Sequence, residues 1–143
     1  MERMKKFLDA TTQRIITLKS GVEYYEGKAF SGYIYTKYPT GSVKDINEYK
    51  DGYRDGLYII CYPNGRVNMI QQIFRNDIHG YTIMLKEDNI IERVRYYVMG
   101  DEAVDLTSKE KKKEIINEML KKALKCKAKI IIEKALDYKD KIK

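Results

Sequence analysis

The chain repeats itself with a fixed spacing of 24 residues, which sets Gly32, Gly56 and Gly80 in one column and Gly41 and Gly65 in another. No other feature narrows the fold so far. A unit this short can bury an apolar face only against its neighbours, so the period predicts an array of small stacked modules. It also weighs against an enzyme.

The glycines stand in longer matching segments. Residues 25–33, Tyr-Glu-Gly-Lys-Ala-Phe-Ser-Gly-Tyr, align with residues 49–57, Tyr-Lys-Asp-Gly-Tyr-Arg-Asp-Gly-Leu, and with residues 73–81, Ile-Phe-Arg-Asn-Asp-Ile-His-Gly-Tyr. A further unit begins at Tyr97 and stops. In the other half of the unit Tyr38-Pro39-Thr40-Gly41 matches Tyr62-Pro63-Asn64-Gly65, whereas Lys86-Glu87-Asp88-Asn89 keeps turn chemistry without the Pro and Gly. The array decays toward its end, as terminal repeats do.

Short runs rich in Tyr, Ile, Val and Thr, closed by Asp-Gly or Asn-Gly, are the signature of strands joined by tight turns. Strands are predicted near residues 14–25, 33–38, 43–49, 57–62, 67–74, 81–86 and 90–98, which makes an antiparallel meander of about seven strands. In the first strand of each unit Tyr33 and Tyr35, then Leu57, Ile59 and Cys61, then Tyr81, Ile83 and Leu85 share the predicted core side. The second strand spaces its apolar residues by three: Val43, Ile46, Tyr49; Val67, Ile70, Ile73; Ile91, Val94, Tyr97. A bulge in each unit would reconcile that spacing with a sheet, and a helix is the alternative.

Composition divides the 143 residues in two. The formal net charge of +7 resides wholly after Leu106, where 13 lysines face 6 acidic residues, while residues 1–106 balance 15 basic against 15 acidic groups. Twelve of the 13 tyrosines lie in that neutral body. Residues 1–106 are therefore predicted as a β-repeat body with a short N-terminal segment, and residues 107–143 as a basic helical segment.

No Gly or Pro follows Asp101, Thr107 and Glu110 fit a capping box, and Ile116, Leu120, Ala123, Leu124, Ile131, Ala135, Tyr138 and Ile142 approximate one apolar stripe. The fold class is thus α+β, a meander followed by a long basic helix or helix pair. An unbroken helix would run roughly 55 Å, so a bend near residues 126–129 is expected. Its stripe must cover one face of the sheet or meet the same stripe of a second copy in a homodimer. Cys61 and Cys126 lack metal-ligand spacing and read as free thiols in a reducing compartment. No run of about 18 apolar residues and no secretory leader is present, so a cytoplasmic protein without membrane attachment is expected.

The segments at 49–57 and 62–65 resemble MORN-type repeats, and in particular the bacterial variant found in antitoxin components of toxin and antitoxin systems. The resemblance covers roughly residues 24–100. It implies a β-hairpin array that binds other macromolecules, with neutralisation of a toxin or effector as one described class, and it implies no active site. The sequence departs from the pattern where Asn76 stands in the place of Gly52. The basic C-terminal segment lies outside the resemblance.

Neither a catalytic set nor a metal or cofactor site is evident from the residues. His79 is the only histidine and precedes Gly80, where a solvated turn residue or an interface contact is expected. Asp51 and Asp55 could pair as acid and base, yet their counterparts are Gly27 with Ser31 and Arg75 with His79, which fits turn chemistry better. No phosphate-binding Gly-rich loop and no nucleophile elbow is present. Tyr24, Tyr58 and Tyr62 are candidates either for cross-strand packing or for partner binding. Lys111, Lys112, Lys113, Lys121 and Lys122, with Lys125, Lys127 and Lys129 beyond them, form a solvated helix face, a footprint for RNA, DNA or an acidic protein, or a membrane-surface helix without Trp or Phe anchors. The expected activity is that of a non-enzymatic module neutralising a partner protein, as an antitoxin, immunity protein or inhibitor of a defence effector. The alternative is a nucleic-acid-associated protein holding phosphate backbones through its lysines. Recognition is left to the even-numbered strand faces and the charged helix.

Overall fold

Turn residues with positive φ close one short strand after another in the computed structural model, which describes residues 6–10, 15–17, 22–107 and 112–141. The strands are β1 (Lys6–Asp9), β2 (Ile15–Thr17), β3 (Glu23–Tyr25), β4 (Lys28–Ala29), β5 (Gly32–Lys37), β6 (Val43–Lys50), β7 (Tyr53–Cys61), β8 (Val67–Phe74), β9 (Asp77–Leu85), β10 (Ile91–Val98) and β11 (Asp101–Asp105). One helix, α1 (Lys112–Lys141), follows. The fold is α+β: a mostly antiparallel eight-stranded sheet ordered β1-β5-β6-β7-β8-β9-β10-β11, a small sheet β2-β3-β4, and the C-terminal helix.

Both ends of the large sheet depart from the sequence expectation. β1 lies parallel beside β5, with Phe7 opposite Tyr33, so the sheet is not a pure meander. Phe7 stacks on Tyr33 at 4.6 Å and the Asp9 carboxylate pairs with Lys37 at 2.6 Å, contacts that patterning within four residues does not announce. The single strand expected over 14–25 is instead two antiparallel strands, β2 and β3, and residues 18–21 between them lie outside the described residues. At the other end, the stretch where composition changes is β11, an exposed edge strand paired with β10.

Register sorts the side chains into rows. Tyr35, Ile46, Ile59, Ile70, Ile83 and Val94 lie opposite one another across six strands. Five of the six are fully enclosed, and all six belong to the main core. The bulge expected in each second strand is present, with Lys44, Asn68 and Glu92 as the extra residue opposite an unbroken partner, although Tyr49 packs on the other face from Val43 and Ile46. A second irregularity lies between units: residues 55–57 of β7 oppose Glu48 alone, and residues 79–81 of β9 oppose Gln72 alone. At the first of these Glu48 Oε1 accepts the Leu57 N–H at 3.1 Å, and at the second Gln72 Oε1 accepts the Tyr81 N–H at 2.9 Å. Gly56 (φ 114°) and Gly80 (φ 115°) sit beneath these side chains, where a Cβ would run into the Glu48 or Gln72 side-chain oxygen. The glycine column is thus a close-approach requirement inside the strands and not a turn requirement, and Asp55 and His79, read from sequence as turn residues, lie within β7 and β9.

Turns stack by one further bond that recurs every 24 residues: Gly52 N–H to Phe30 C=O, Asn76 N–H to Arg54 C=O, and Gly100 N–H to Ile78 C=O, at 2.7–2.9 Å. Asn76 replaces glycine there because it also takes a positive φ of 72° and lends its Oδ1 to the Arg54 N–H.

α1 lays Ile116, Met119, Ala123, Cys126 and Ile130 on the main core. That spacing of three and four is a straight stripe, and it differs from the one expected: Leu120 is only half-buried and Leu124 is 55% exposed. Each of these leucines follows a stripe residue and is therefore turned about 100° from it. The side chains of residues 131, 135, 138 and 142 lie outside the described residues. The helix is assigned as one element from Lys112 to Lys141, through residues 126–129 where a bend is expected. The capping box expected of Thr107 and Glu110 falls on residues 108–111, outside the described residues; the Thr107 hydroxyl donates to Asp105 Oδ1 at 2.5 Å at the end of β11.

Candidate functional site

The sheet has two faces of different chemistry, and only one carries the helix. One residue away from the core row, along the same strands, Ile34, Asn47, Tyr58, Gln71, Thr82 and Arg95 form a second row on the opposite face. Beside it run Asp45, Ile60, Met69, Met84 and Arg93. The small sheet closes one end of this face, where Ile34 joins Leu8 and Phe30, with Ile15, Tyr25 and Tyr49 packed on them. Tyr58, Ile60, Met69 and Met84 belong to neither core cluster and remain half-buried on an open surface.

Electrostatics on this face are only partly settled within the chain. Arg95 meets Glu102 at 3.3 Å, and Asp45 accepts the Thr36 hydroxyl at 2.7 Å. Burial, with Asp45 nearby, raises the Tyr58 hydroxyl pKa, so Tyr58 stays a neutral donor at physiological pH. Asn47 Oδ1 and Thr82 Oγ1 are enclosed without a hydrogen-bond partner among the described residues. An enclosed polar atom left so costs about 1–3 kcal/mol, which a row selected only for stability would avoid.

On the helix side a cleft of about 670 Å³ opens between α1 and the bulge row. Tyr33, Leu57, Tyr81 and Tyr96 line its sheet wall, Glu48 and Asp55 add two carboxylates, and Lys122, Lys125 and Lys129 stand on the helix. Tyr81 and Tyr96 meet edge to face at 5.1 Å. The Tyr33 hydroxyl lies against Cys126 and Glu48, and burial, followed by those two groups, raises its pKa. His79 also lines the cleft and accepts the Met99 N–H on Nδ1 at 3.2 Å. Among the described residues no cluster of His, Cys, Asp and Glu is arranged to hold a metal ion, and no helix is long and apolar enough to cross a membrane.

The residues singled out from sequence are scattered over these surfaces. Tyr58 is central to the helix-free face. Tyr24 is half-buried in β3, opposite Ala29. Tyr62 donates its hydroxyl to Leu85 C=O at 2.7 Å, just as Tyr38 donates to Cys61 C=O at 2.6 Å, so both tyrosines tie one unit to the next. Lys113, Lys121 and Lys122 are exposed, and Lys122 also pairs with Glu118 at 3.5 Å. Lys111 and the Lys112 side chain lie outside the described residues. Of Lys113, Lys121 and Lys122, Lys122 lines the cleft. In sequence Lys125 and Lys129 belong merely to a charge run, yet their offsets of three and seven from Lys122 set all three on one helix flank. Glu48, Gln72 and Tyr96 form their own 24-residue column, which the adjacent glycines overshadow. No family model matches the chain, nor does any curated protein or solved structure.

Proposed function

We propose that the protein is a non-enzymatic binding module whose helix-free sheet face docks on a folded protein partner and blocks it. Support comes chiefly from the open array of Tyr58, Ile60, Met69, Met84, Arg93 and Arg95, which neither core uses. Aromatic, methionine and arginine side chains are the types enriched where proteins meet, and a rigid sheet presents them at little entropic cost. The 24-residue columns are spent on turns and bulges, in keeping with MORN-like hairpin repeats as scaffold and variable face residues as reader. An antitoxin, an immunity protein or an inhibitor of a defence effector is the specific form of this reading.

The test is affinity capture from the native host with the parent protein and with a Tyr58→Ala/Met69→Ser/Met84→Ser variant. One stoichiometric protein, captured by the parent and lost with the variant while the melting temperature holds, is the expected result. No stoichiometric partner, or equal capture by the variant, overturns it. Exposure of Lys113, Lys121 and Lys122 favours a second reading, in which the helix holds RNA or DNA backbones. That reading requires retention that falls steeply with salt and disappears when these lysines become Glu.

A further inference from the structure

We infer that the cleft between α1 and the bulge row is a small-molecule site for a nucleoside monophosphate, independent of the docking face on the other side of the sheet. Three kinds of group line it in a fixed order. Lys122, Lys125 and Lys129 come from one flank of the helix, and Lys125 and Lys129 pair with no carboxylate among the described residues. An ammonium row of this kind is complementary to a phosphate, which offers it several acceptor oxygens at once. Tyr33, Tyr81 and Tyr96 supply rings on the opposite wall. The edge-to-face pair of Tyr81 with Tyr96 occupies one of its four ring faces, and a planar base can stack on a remaining one.

The carboxylates decide between ligand classes. Glu48 and Asp55 lie with the sheet-side groups, so an anion is drawn to the helix and hydrogen-bond donors to the sheet. Glu48 accepts the Leu57 N–H on Oε1 and lies against the Tyr33 hydroxyl, and Asp55 adds a second carboxylate to the lining for a ligand's donors. A fatty acid or a sulfonated ring would bring the anion without donors to meet these carboxylates. A nucleotide brings an anionic group, a planar ring, and ribose hydroxyls or exocyclic amines. The cleft volume of about 670 Å³ lies in the size range of ligand sites. The bulge geometry also holds this wall rigid before any ligand arrives, because Glu48 and Gln72 are locked onto the Leu57 and Tyr81 amides.

The test is calorimetric titration of the full chain with the four ribonucleoside 5′-monophosphates, with adenosine and inorganic phosphate as controls. At least one nucleotide should bind with a dissociation constant below about 1 mM, and adenosine and phosphate should each bind roughly tenfold more weakly or worse. Lys125→Ala/Lys129→Ala should weaken the nucleotide about tenfold or more, and Tyr96→Leu should weaken it several-fold. Lys28→Ala, distant in the small sheet, should leave affinity unchanged. Amide NMR shifts should move at Leu57 and Tyr81 and stay fixed at Gln71, which also reports whether each variant is folded. Four results overturn the inference: no nucleotide binds, phosphate alone binds equally well, the lysine variant leaves affinity unchanged, or Lys28→Ala weakens binding as much as the cleft variants do.

Discussion

Neighbouring residues on the same strands answer to opposite demands. Ile46, Ile59 and Ile70 face the helix with no accessible surface, while Asn47, Tyr58 and Gln71 face outward on a row that mixes amide and phenol groups. Backbone, twist and register are shared, so the difference lies in what covers each face. The helix-covered face is a solved packing problem. The open face keeps unmet polar atoms and uncovered methionines, and a protein under selection for stability alone has no reason to retain them.

The contrast is tested most severely in the core row. Ile70→Ala should cost about 2–5 kcal/mol in a denaturant titration, because a fully enclosed side chain leaves a cavity that the flanking Ile59 and Ile83 cannot fill. Gln71→Ala, one residue along, should stay within about 0.5 kcal/mol. Equal losses at the two positions would mean that the open face is also packed.

Next come the bulges, which join the two faces. Gly56→Ala should cost about 1–3 kcal/mol through its positive φ and through displacement of the Glu48 carboxylate. Adding Glu48→Ala removes the clash, so the double variant should lose less than the sum of the single losses. Strict additivity would refute the close-approach account of the glycine column.

Alkaline pH separates covered from open parts of the helix-free face itself. Burial among Phe30 and its neighbours pushes the Tyr49 hydroxyl up to about 12 from the model-compound value of 10.0, with the Glu23 charge adding to it. The neutral phenol is favoured in the fold, so the stability linked to Tyr49 is fully present below about pH 10 and is lost as pH rises through about 12. Tyr49→Phe should therefore flatten the decline in melting temperature across that window. If the decline is unchanged, Tyr49 is more open than its packing indicates. Smaller again is Tyr62→Phe, which deletes the bond to Leu85 C=O and should cost about 0.5–1.5 kcal/mol.

The period of 24 residues made the helix-covered face readable in advance: Tyr35, Ile59 and Ile83 recur at that spacing and share a burial class. Features that depend on a single contact were not readable. β1 is held by the Phe7 and Tyr33 stack and the Asp9 and Lys37 pair, each partner distant in sequence. The helix stripe slipped because Met119 and Cys126 complete a straight line that the stronger hydrophobes Leu120 and Leu124 do not. The proposed docking face was legible only as the residue set that the repeat leaves free, since recognition imposes no period. The cleft was illegible, because it requires α1 to pass beside the bulge row, and nothing in a lysine run fixes that position.

The smallest stability effect carries the largest functional weight. Tyr58→Ala, Met69→Ser and Met84→Ser remove side chains that support neither core, so each should shift stability by about 0.5 kcal/mol or little more. The three sites lie on neighbouring strands of one row system, and their losses should be nearly additive because no enclosed cavity is shared. A combined loss of several kcal/mol would show that these residues are part of the packed interior and would remove the docking face. A small combined loss, together with abolished partner capture, would show that the face is kept for contact with another protein and not for the fold.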